Sequence, residues 1–485
     1  MPLDIAFSSA AALAAKLRSG RLSALDLLDH YIARVEKHDP ALNAVVVRDF
    51  DRARKRAKAA DRALKKGAAQ GPLHGLPMTV KESFNVEGLE TTWGNPAFKD
   101  NVAGYTAVAV ERLQAAGAIV FGKTNVPLLL QDMQSYNAIY GTTKNPYDLA
   151  RTPGGSSGGG AAAVAAGLSA ADFGSDLAGS IRNPASFCGL YAHKPSFGVV
   201  PTRGHGLARA LAQPDISVLG PIARSARDLE PLLFATAGPL EDDAAGWTLK
   251  LPFSRAENLR GLRNGLLTDI ETSPLADSVR SALDTLAQWL RKQGAKVTPA
   301  TLPIDAPRHQ ALFMQFVRAV GAARMNDATF QQTLADAAKH PPEDRSPPAL
   351  NLRGLVQYHR DWCAAHEERT QLRAKWADYF RDHDLLLLPG TSVPAFPIDE
   401  TAPREARILD IDGRQVPYNA QGFWQGIATV SYLPATVAPI ARTAQGLPLA
   451  VQIVGPYLGD RSTIGFARLL ERQYRGYTAP EAFLA

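Results

Sequence analysis

Two serines and one lysine have the types and settings that nucleophilic chemistry needs. Ser156 lies in a glycine-rich run, PGGSSGGG, and Ser180 lies 24 residues later in a second Gly-Ser turn, DLAGSIRNP. Glycine allows a close approach of the backbone and serine supplies a hydroxyl, so each turn can present amide N–H groups beside an Oγ. Lys81 follows a short apolar run, Met78 to Val80. This combination is typical of a hydrolase that stabilises a developing anion.

The lysine is the residue that can activate a serine. A serine hydroxyl is a weak nucleophile at neutral pH and needs a base within hydrogen-bonding distance. Lysine is such a base only when it is neutral, which requires a pKa well below its ordinary value. The apolar run before Lys81 predicts a buried strand. We therefore expect Lys81 to be a desolvated base at a strand end.

The glycine-rich run has other interpretations that its context disfavours. A phosphate-binding loop would end in Gly-Lys-Ser or Gly-Lys-Thr, and a dinucleotide-binding loop would follow a strand, whereas residues 151–153 (RTP) make a poor strand end. The GxSxG pattern of residues 155–159 would make Ser157 a nucleophile only on a strand-to-helix elbow, and the same missing strand argues against it. A flexible loop is the remaining interpretation of the run taken alone.

Three segments in this order, GLPMTVKESF, PGGSSGGG and GSDLAGSIRNP, resemble the amidase signature family, whose members hydrolyse amide bonds with a Ser-cisSer-Lys triad. The resemblance spans residues 74 to 205, with a further segment near the C-terminus, GLPLAVQIVGPYLGDRSTI. It implies that Ser180 is the nucleophile, Ser156 the bridging serine after a cis peptide bond, and Lys81 the base. It also implies an oxyanion hole built from four consecutive backbone N–H groups, those of Leu177, Ala178, Gly179 and Ser180.

The resemblance also places four residues around the triad: Ser157, Ser175, Asp176 and Arg182. Asp176 and Arg182 can form an ion pair that fixes the turn, and a purely structural role for this pair is at least as good an interpretation as a catalytic one. The chain departs from many members at Ala178, which stands where they have glycine. A backbone donor survives this change if φ of Ala178 stays negative.

Contacts to the substrate are expected outside the signature, in residues 126–140, 200–215, 306–360 and 415–430. The candidates in these segments are Leu129, Gln131, Tyr136, Phe313, Phe316, Phe423 and Trp424. Core packing is an equally good interpretation of each aromatic residue. A pocket lined by such side chains would favour apolar or aryl amides, and esters and carbamates also pass through a tetrahedral oxyanion. The sequence does not choose among these substrates.

Two alternatives to a stand-alone amidase stay open. The glutaminase subunit of a tRNA-dependent amidotransferase shares the signature, but its Asp-Glu-Phe-Ala-Met segment is replaced here by VPLLL at residues 126–130. A non-catalytic binding protein on an amidase scaffold is disfavoured because all three triad positions are intact.

Strand, helix and strand patterns alternate along the 485 residues and predict an α/β fold. As the resemblance implies, we expect a single α/β/α domain with a large mixed, mostly central β-sheet flanked by helices. Its expected parts are N-terminal helices in 1–70, the signature core in 71–238, a variable and mostly helical substrate-shaping region in 239–413, and a C-terminal return to the core in 414–485. An alanine-rich helix is predicted between the two Gly-Ser turns.

Composition narrows the partners and the compartment. The net charge is only +6, and the basic run Arg52 to Lys66 lacks the aromatic residues that stack bases, so it predicts a solvated helix face. Cys188 and Cys363 are the only cysteines, the N-terminus lacks a basic leader, and no apolar run could span a bilayer. We predict a cytoplasmic enzyme that acts on a small-molecule amide without metal, cofactor, nucleic acid or membrane partner. A homodimer is compatible with the sequence.

Overall fold

The computed structural model describes residues 5–69, 71–207, 211–254, 256–344, 346–401 and 403–484. Parts of two predicted substrate segments, residues 208–210 and 345, lie outside the described residues. Within the described ranges the chain forms an α/β fold around an 11-stranded mixed sheet flanked by helices. The predicted fold class is confirmed.

The strands follow the chain in this order: β1 (Val45–Arg48), β2 (Pro77–Lys81), β3 (Ile119–Thr124), β4 (Tyr136–Asn137), β5 (Gly141–Thr142), β6 (Ala171–Asp176), β7 (Tyr191–Lys194), β8 (Val218–Ala223), β9 (Arg263–Leu266), β10 (Lys296–Pro299), β11 (Leu385–Pro389), β12 (Ile408–Ile411), β13 (Arg414–Pro417), β14 (Ala435–Arg442) and β15 (Pro448–Val454). The large sheet has the order β1-β3-β2-β6-β8-β7-β14-β15-β11-β9-β10, and β4-β5 and β12-β13 form two small separate pairs.

The helices are α1 (Ala10–Arg18), α2 (Ala24–Leu42), α3 (Phe50–Lys65), α4 (Val108–Ala115), α5 (Gly158–Ala165), α6 (Arg182–Phe187), α7 (Ala226–Thr236), α8 (Glu241–Ala244), α9 (Asp277–Lys292), α10 (Ala306–Ala322), α11 (Asp327–Ala338), α12 (Pro347–Leu355), α13 (His359–Asp382), α14 (Gly422–Val430) and α15 (Asp460–Gln473). Helix α5 packs on β2, β3, β6 and β8, while α15 packs on α7 and β14.

Strands β2 and β6 bring the two halves of the signature together. They are parallel neighbours, with Thr79 opposite Asp172 and Val80 opposite Phe173. Every residue of both strands is buried. The carboxyl ends of parallel strands lie at one edge of a sheet, so Lys81 at the end of β2 and the last residues of β6, Ser175 and Asp176, lie at the same edge.

The region between the two Gly-Ser turns contains more than the predicted helix. Helix α5 confirms the alanine-rich helix, but β6 follows it and was not predicted, because its sequence ADFGSD is short, contains glycine and shows no apolar alternation. Strand β8, which begins at Val218, was not predicted either. Ser156 and Ser180 are therefore separated by a helix-strand unit.

Helix α2 continues past a proline in its last turn. Pro40 lies inside the last turn, and the helix ends at Leu42 before Asn43, whose φ of 57° is left-handed. The Asp39 carboxylate accepts hydrogen bonds from Ala44 N–H at 2.7 Å and Val45 N–H at 3.2 Å, so the chain turns directly into β1.

Within the region 239–413, which was predicted to be mostly helical, residues 306–382 carry the four helices α10 to α13. Helix α10 packs on α12, α13 and α14, and it lies close to the turn that carries Ser180 because α14 adjoins that turn. Helix α14 therefore lies between α10 and that turn.

Candidate active site

Lys81 is completely buried and is bound to two serines. Its Nζ donates to Ser156 Oγ at 2.7 Å and to Ser175 Oγ at 3.0 Å, and it lies 3.4 Å from the Ser175 carbonyl oxygen. Strand β2 presents the lysine and strand β6 presents Ser175. The structure thus brings the predicted base to the predicted bridging serine.

The surroundings of Lys81 favour its neutral form. Burial lowers its pKa to about 7, against the opposing effect of the negative charges of Asp176 and Asp172, while Arg324 lowers it further. A lysine with this pKa is partly deprotonated at neutral pH and can accept a proton.

The glycine-rich run is shaped by the loop packed against it. The peptide bond between Gly155 and Ser156 is cis. A Cβ on Gly155 would lie 2.6 Å from the carbonyl oxygens of Asp132 and Gln134, so no larger residue fits without moving that loop. Residues 143–156, all of them described, contain no strand, which agrees with excluding a GxSxG elbow at Ser157.

Ser180 lies in the turn between β6 and α6. Its carbonyl accepts from Ser157 N–H at 3.1 Å, which joins the two Gly-Ser turns. Ser180 and its neighbours Leu177 and Ala178 are partly exposed, whereas Gly179 is buried. The turn is therefore open to a ligand at the edge of the sheet where Lys81 ends.

Asp176 and Arg182 form a fully buried ion pair that holds this turn. Arg182 Nη2 lies 2.8 Å from Asp176 Oδ1, and Arg182 also donates to the Gln425 carbonyl, to Gln452 and to Thr429 at 2.7 to 2.8 Å. Burial alone would raise the pKa of Asp176, but the guanidinium outweighs it and holds the pKa below its usual range. The pair ties the turn to α14 and β15.

The amide of Gly179 is already engaged. It donates to Asp176 Oδ1 at 2.8 Å, so this N–H points towards the carboxylate. Gly179 has a φ of +110°, and a Cβ there would lie 2.3 Å from Gln425 Cγ. Ala178 is not among the described residues with positive φ, so its backbone keeps the geometry in which alanine can replace glycine.

A second buried carboxylate near Lys81 was missed from the sequence. Asp172 Oδ2 accepts from Thr79 Oγ1 at 2.8 Å and from Thr124 Oγ1 at 3.1 Å. Burial raises the pKa of Asp172 to about 7, against the effects of these hydrogen bonds and of Lys81. The available signal was Thr79, which lies two residues before Lys81 and therefore shares its face of β2.

The residues after Lys81 hold a further network that was not predicted. Glu82 accepts from Thr92 N–H at 2.5 Å and from Trp93 N–H at 2.9 Å, and the indole of Trp93 donates to the Ser83 carbonyl at 3.1 Å. Ser83 Oγ lies 2.8 Å from His205 Nε2. Burial, assisted by the charges of Lys81 and Arg324, holds the pKa of His205 well below its ordinary value.

The predicted substrate residues fall into two groups. Those on helices α10 and α14 are buried in the main apolar core, which fits their interpretation as packing residues: Phe313, Phe316, Phe423 and Trp424. The others lie on the loop beside the glycine-rich run. There Leu129 N–H donates to the Trp93 carbonyl at 2.7 Å, the Gln131 carbonyl accepts from Arg404 at 3.0 Å, and Tyr136 is half-buried.

Three findings concern other kinds of site. No group of three or more His, Cys, Asp or Glu residues in the described ranges could hold a metal ion. None of the described helices is both long and apolar enough to cross a membrane. A cleft of about 680 Å³ opens elsewhere, between Arg151, Phe396 and the β12-β13 pair, and contains none of the three triad positions. We place the candidate active site at Lys81 and not in this cleft, because the buried lysine amine is hydrogen-bonded to Ser156 and Ser175.

The sequence profile described as Amidase matches residues 26–464. The chain belongs to the amidase signature family. It is an amidohydrolase, and the predicted family and enzyme class are confirmed. This amidase is 30% identical to a glutamyl-tRNA(Gln) amidotransferase component of Synechococcus sp. (strain CC9605), over 97% of each chain. It is also 30% identical to fatty-acid amide hydrolase 2-B of Danio rerio, over 97% of this chain and 90% of that one.

Solved structures agree with this assignment. The crystal structure of a bacterial aryl acylamidase of the same family superposes with a TM-score of 0.79 at 25% identity, covering 99% of this amidase and 97% of that chain. The named relatives differ in what they act on, so these similarities give the family and the reaction class of the chain but not its substrate.

Proposed function

We propose that this amidase hydrolyses a carboxylic amide through an acyl-enzyme on Ser180, with Ser156 and Lys81 relaying protons. The observation that carries the proposal is the fully buried Lys81, with a pKa of about 7, bound to Ser156 at 2.7 Å on the sheet edge that carries the Ser180 turn.

Each group has one task in this reaction. Neutral Lys81 takes a proton from Ser156, which takes the proton of Ser180 as that hydroxyl attacks the carbonyl carbon. The tetrahedral intermediate collapses when Ser156 gives a proton to the leaving amine and takes one back from Lys81, which becomes neutral again. Water then attacks the acyl-enzyme by the same relay and releases the carboxylic acid. Ser175 holds the lysine amine in position from β6.

The negative oxygen of the intermediate is bound by backbone N–H groups of residues 177–180. Leu177, Ala178 and Ser180 are partly exposed and are the donors that we favour. Gly179 was predicted as a fourth donor, but its N–H already donates to Asp176, so we assign it to shaping the turn. One lost donor of this kind costs about 2.7 to 4 kcal/mol of activation free energy.

Amides with apolar or aryl groups are the proposed substrates, and esters and carbamates are chemically accessible to the same acyl-enzyme. Relatives named aryl acylamidase and fatty-acid amide hydrolase support this range. The loop residues Leu129, Gln131 and Tyr136 are the proposed contacts. The free thiols of Cys188 and Cys363 are consistent with the predicted cytoplasmic location, which stays a prediction, as does a homodimer.

A glutaminase component of an amidotransferase is the second candidate, because several relatives at 30 to 33% identity are named as parts of glutamyl-tRNA(Gln) amidotransferase. The VPLLL segment at residues 126–130 argues against it. Its last three residues, Leu128–Leu130, form a 3-10 turn with Leu128 half exposed. Ammonia release from glutamine only in the presence of co-purified partner proteins would favour this candidate.

A hydrolysis screen tests the main proposal. The panel contains aliphatic amides, aryl amides, peptide C-terminal amides, carbamates and glutamine, and Lys81→Ala provides the blank. We expect at least one non-glutamine amide to be hydrolysed well above the blank by the purified chain alone. Activity no higher than that of Lys81→Ala on every amide would contradict the proposal.

A further inference from the structure

Arg324 is a cationic side chain beside the candidate site that the proposed reaction does not use. It follows the end of α10, and its guanidinium carbon lies 4.4 Å from the centroid of the Trp93 ring. Its backbone N–H donates to the Gly321 carbonyl at 3.1 Å. A guanidinium stacked on an aromatic face can still direct its N–H edge to an anion in a bidentate manner.

Trp93 connects this guanidinium to the chain that follows Lys81. The tryptophan is held by Glu82 through its backbone and by Ser83 through its indole. Arg324 thus lies on the side of the site where the lysine is delivered. Its charge adds to burial in lowering the pKa of Lys81, which agrees with this position.

Helix α10 lies between α14 and the Arg324-Trp93 contact. Near the middle of the helix, the Phe313 ring packs on α14, where a Cβ on Gly426 would lie 2.8 Å from it, and the neighbouring Gln425 adjoins Gly179 of the Ser180 turn. Two residues after the helix ends, Arg324 lies over the Trp93 ring. The segment is therefore linked through α14 to the Ser180 turn and through Arg324 to the chain that follows Lys81.

The charge of Arg324 is not compensated within the part of the chain that the structure describes, where no carboxylate oxygen lies within 4.0 Å of it. Two acids whose charges act on Lys81 have other partners: Asp176 pairs with Arg182, and Glu82 accepts backbone N–H groups. The residue is exposed, and partial desolvation lowers its pKa to about 10, so the guanidinium stays charged at neutral pH.

We infer that Arg324 binds a carboxylate carried by the substrate, so that the enzyme prefers anionic amides to neutral amides of the same size. The inference rests on the proposed function of the site and narrows its substrate class. An uncompensated guanidinium at the edge of a partly dry site attracts an anion and forms charge-assisted hydrogen bonds with it.

Two matched substrate pairs test the inference. Glutaryl p-nitroanilide and valeryl p-nitroanilide differ by a carboxylate on the acyl group, and N-butyryl-4-aminobenzoate and butyranilide differ by one on the amine. We expect Arg324→Gln to lower kcat/KM by about 10- to 100-fold, mainly through KM, for the anionic member of at least one pair. The neutral members should change by no more than about twofold, and the pair that responds identifies the side on which the carboxylate binds.

Two further variants complete the experiment. Arg360→Gln removes one positive charge from α13, where the arginine side chain is 89% exposed, and should leave all four rates unchanged. Arg324→Lys keeps the charge without the bidentate edge and should recover part of the loss. If the anilides are hydrolysed but Arg324→Gln changes kcat/KM equally for the anionic and neutral members, this inference is overturned. The proposed function would then still stand. Failure to hydrolyse all four, together with no labelling of Ser180, would overturn both.

Discussion

At the scale of single residues, the protonation of Lys81 controls the proposed reaction. The amine has to be neutral when Ser180 attacks, and burial is the main cause of its low pKa. The negative charges of Asp172 and Asp176 oppose this effect, whereas Arg324 supports it. The pKa of the proposed base therefore depends on its burial at the end of β2 and on a small number of surrounding charges.

The lowered pKa of Lys81 predicts how the activity depends on pH. Because Lys81 has a pKa of about 7 and is inactive when protonated, kcat/KM for a neutral amide should rise about tenfold per pH unit below pH 7 and level off above it. The measurement is the rate at low substrate concentration between pH 5 and pH 10. An acidic limb centred above pH 9 would contradict a neutral lysine base.

Asp172 provides the control for this profile, because its pKa is also about 7. Asp172→Asn removes that titration together with a negative charge that raises the pKa of Lys81. The limb should therefore persist and move to lower pH. Its disappearance would assign the profile to Asp172 instead.

Gly179 gives a prediction on geometry. Gly179→Ala would place a Cβ 2.3 Å from Gln425 Cγ, so the turn must shift and its N–H groups lose their alignment. We expect kcat to fall about 100-fold. Gly198→Ala is the matched control, because Gly198 also has a positive φ, +88°, but a Cβ there has nothing within 4 Å. Equal losses of kcat in both variants would show that backbone strain alone is responsible.

At the scale of elements, the site depends on the parallel strands β2 and β6 and on the buried Asp176-Arg182 ion pair, which acts as a clamp on the Ser180 turn. The strands bring Lys81 beside the Ser180 turn, and the buried Asp176-Arg182 pair fastens that turn to α14 and β15. The two serine turns acquire a fixed separation because α5 packs on the large sheet and β6 is one of its strands.

Breaking the clamp should destabilise the fold as well as the site. Asp176→Asn leaves the buried guanidinium without its partner charge, so the free energy of unfolding should fall by about 3 to 5 kcal/mol in urea denaturation. Asp378→Asn breaks a pair whose side chains are 79% and 66% exposed, and should have little measurable effect. Similar stabilities for the two variants would argue against a clamp.

The sequence predicts the elements that carry strong local signals. The strand before Lys81 and the alanine-rich helix are both present, because apolar runs and helical periodicity are local properties. Strands β6 and β8 were not predicted, since short strands buried on both faces lack the alternation that marks a strand. The partners of Trp93 and Arg182 could not be predicted either. Arg182 meets Gln425 and Gln452 across more than 240 residues, and only the folded sheet defines such contacts.

At the scale of the whole molecule, the N-terminal helices and the C-terminus close on the signature core. Arg34 of α2 donates to the carbonyls of Gly167 at 2.9 Å, Ala166 at 3.0 Å and Phe483 at 2.7 Å. One buried guanidinium thus joins the beginning of the chain, the end of α5 and the last residues.

Arg34→Met tests this connection. The variant leaves three buried carbonyls without their donor, so the free energy of unfolding should fall by about 1 to 3 kcal/mol while kcat stays near that of the wild type. Arg360→Met, at a side chain that is 89% exposed, is the control and should leave both quantities unchanged. A loss of kcat without a loss of stability would show that Arg34 acts on the site.

The most direct test of the proposed mechanism is covalent labelling with a fluorophosphonate probe, followed by mass spectrometry of the modified peptide. We expect stoichiometric modification of Ser180 in the wild type, no modification in Ser180→Ala, and strongly slowed modification in Ser156→Ala and Lys81→Ala. Modification of Ser156 or Ser157, or undiminished labelling and amide hydrolysis in Ser180→Ala, would contradict the assignment of Ser180 as the nucleophile.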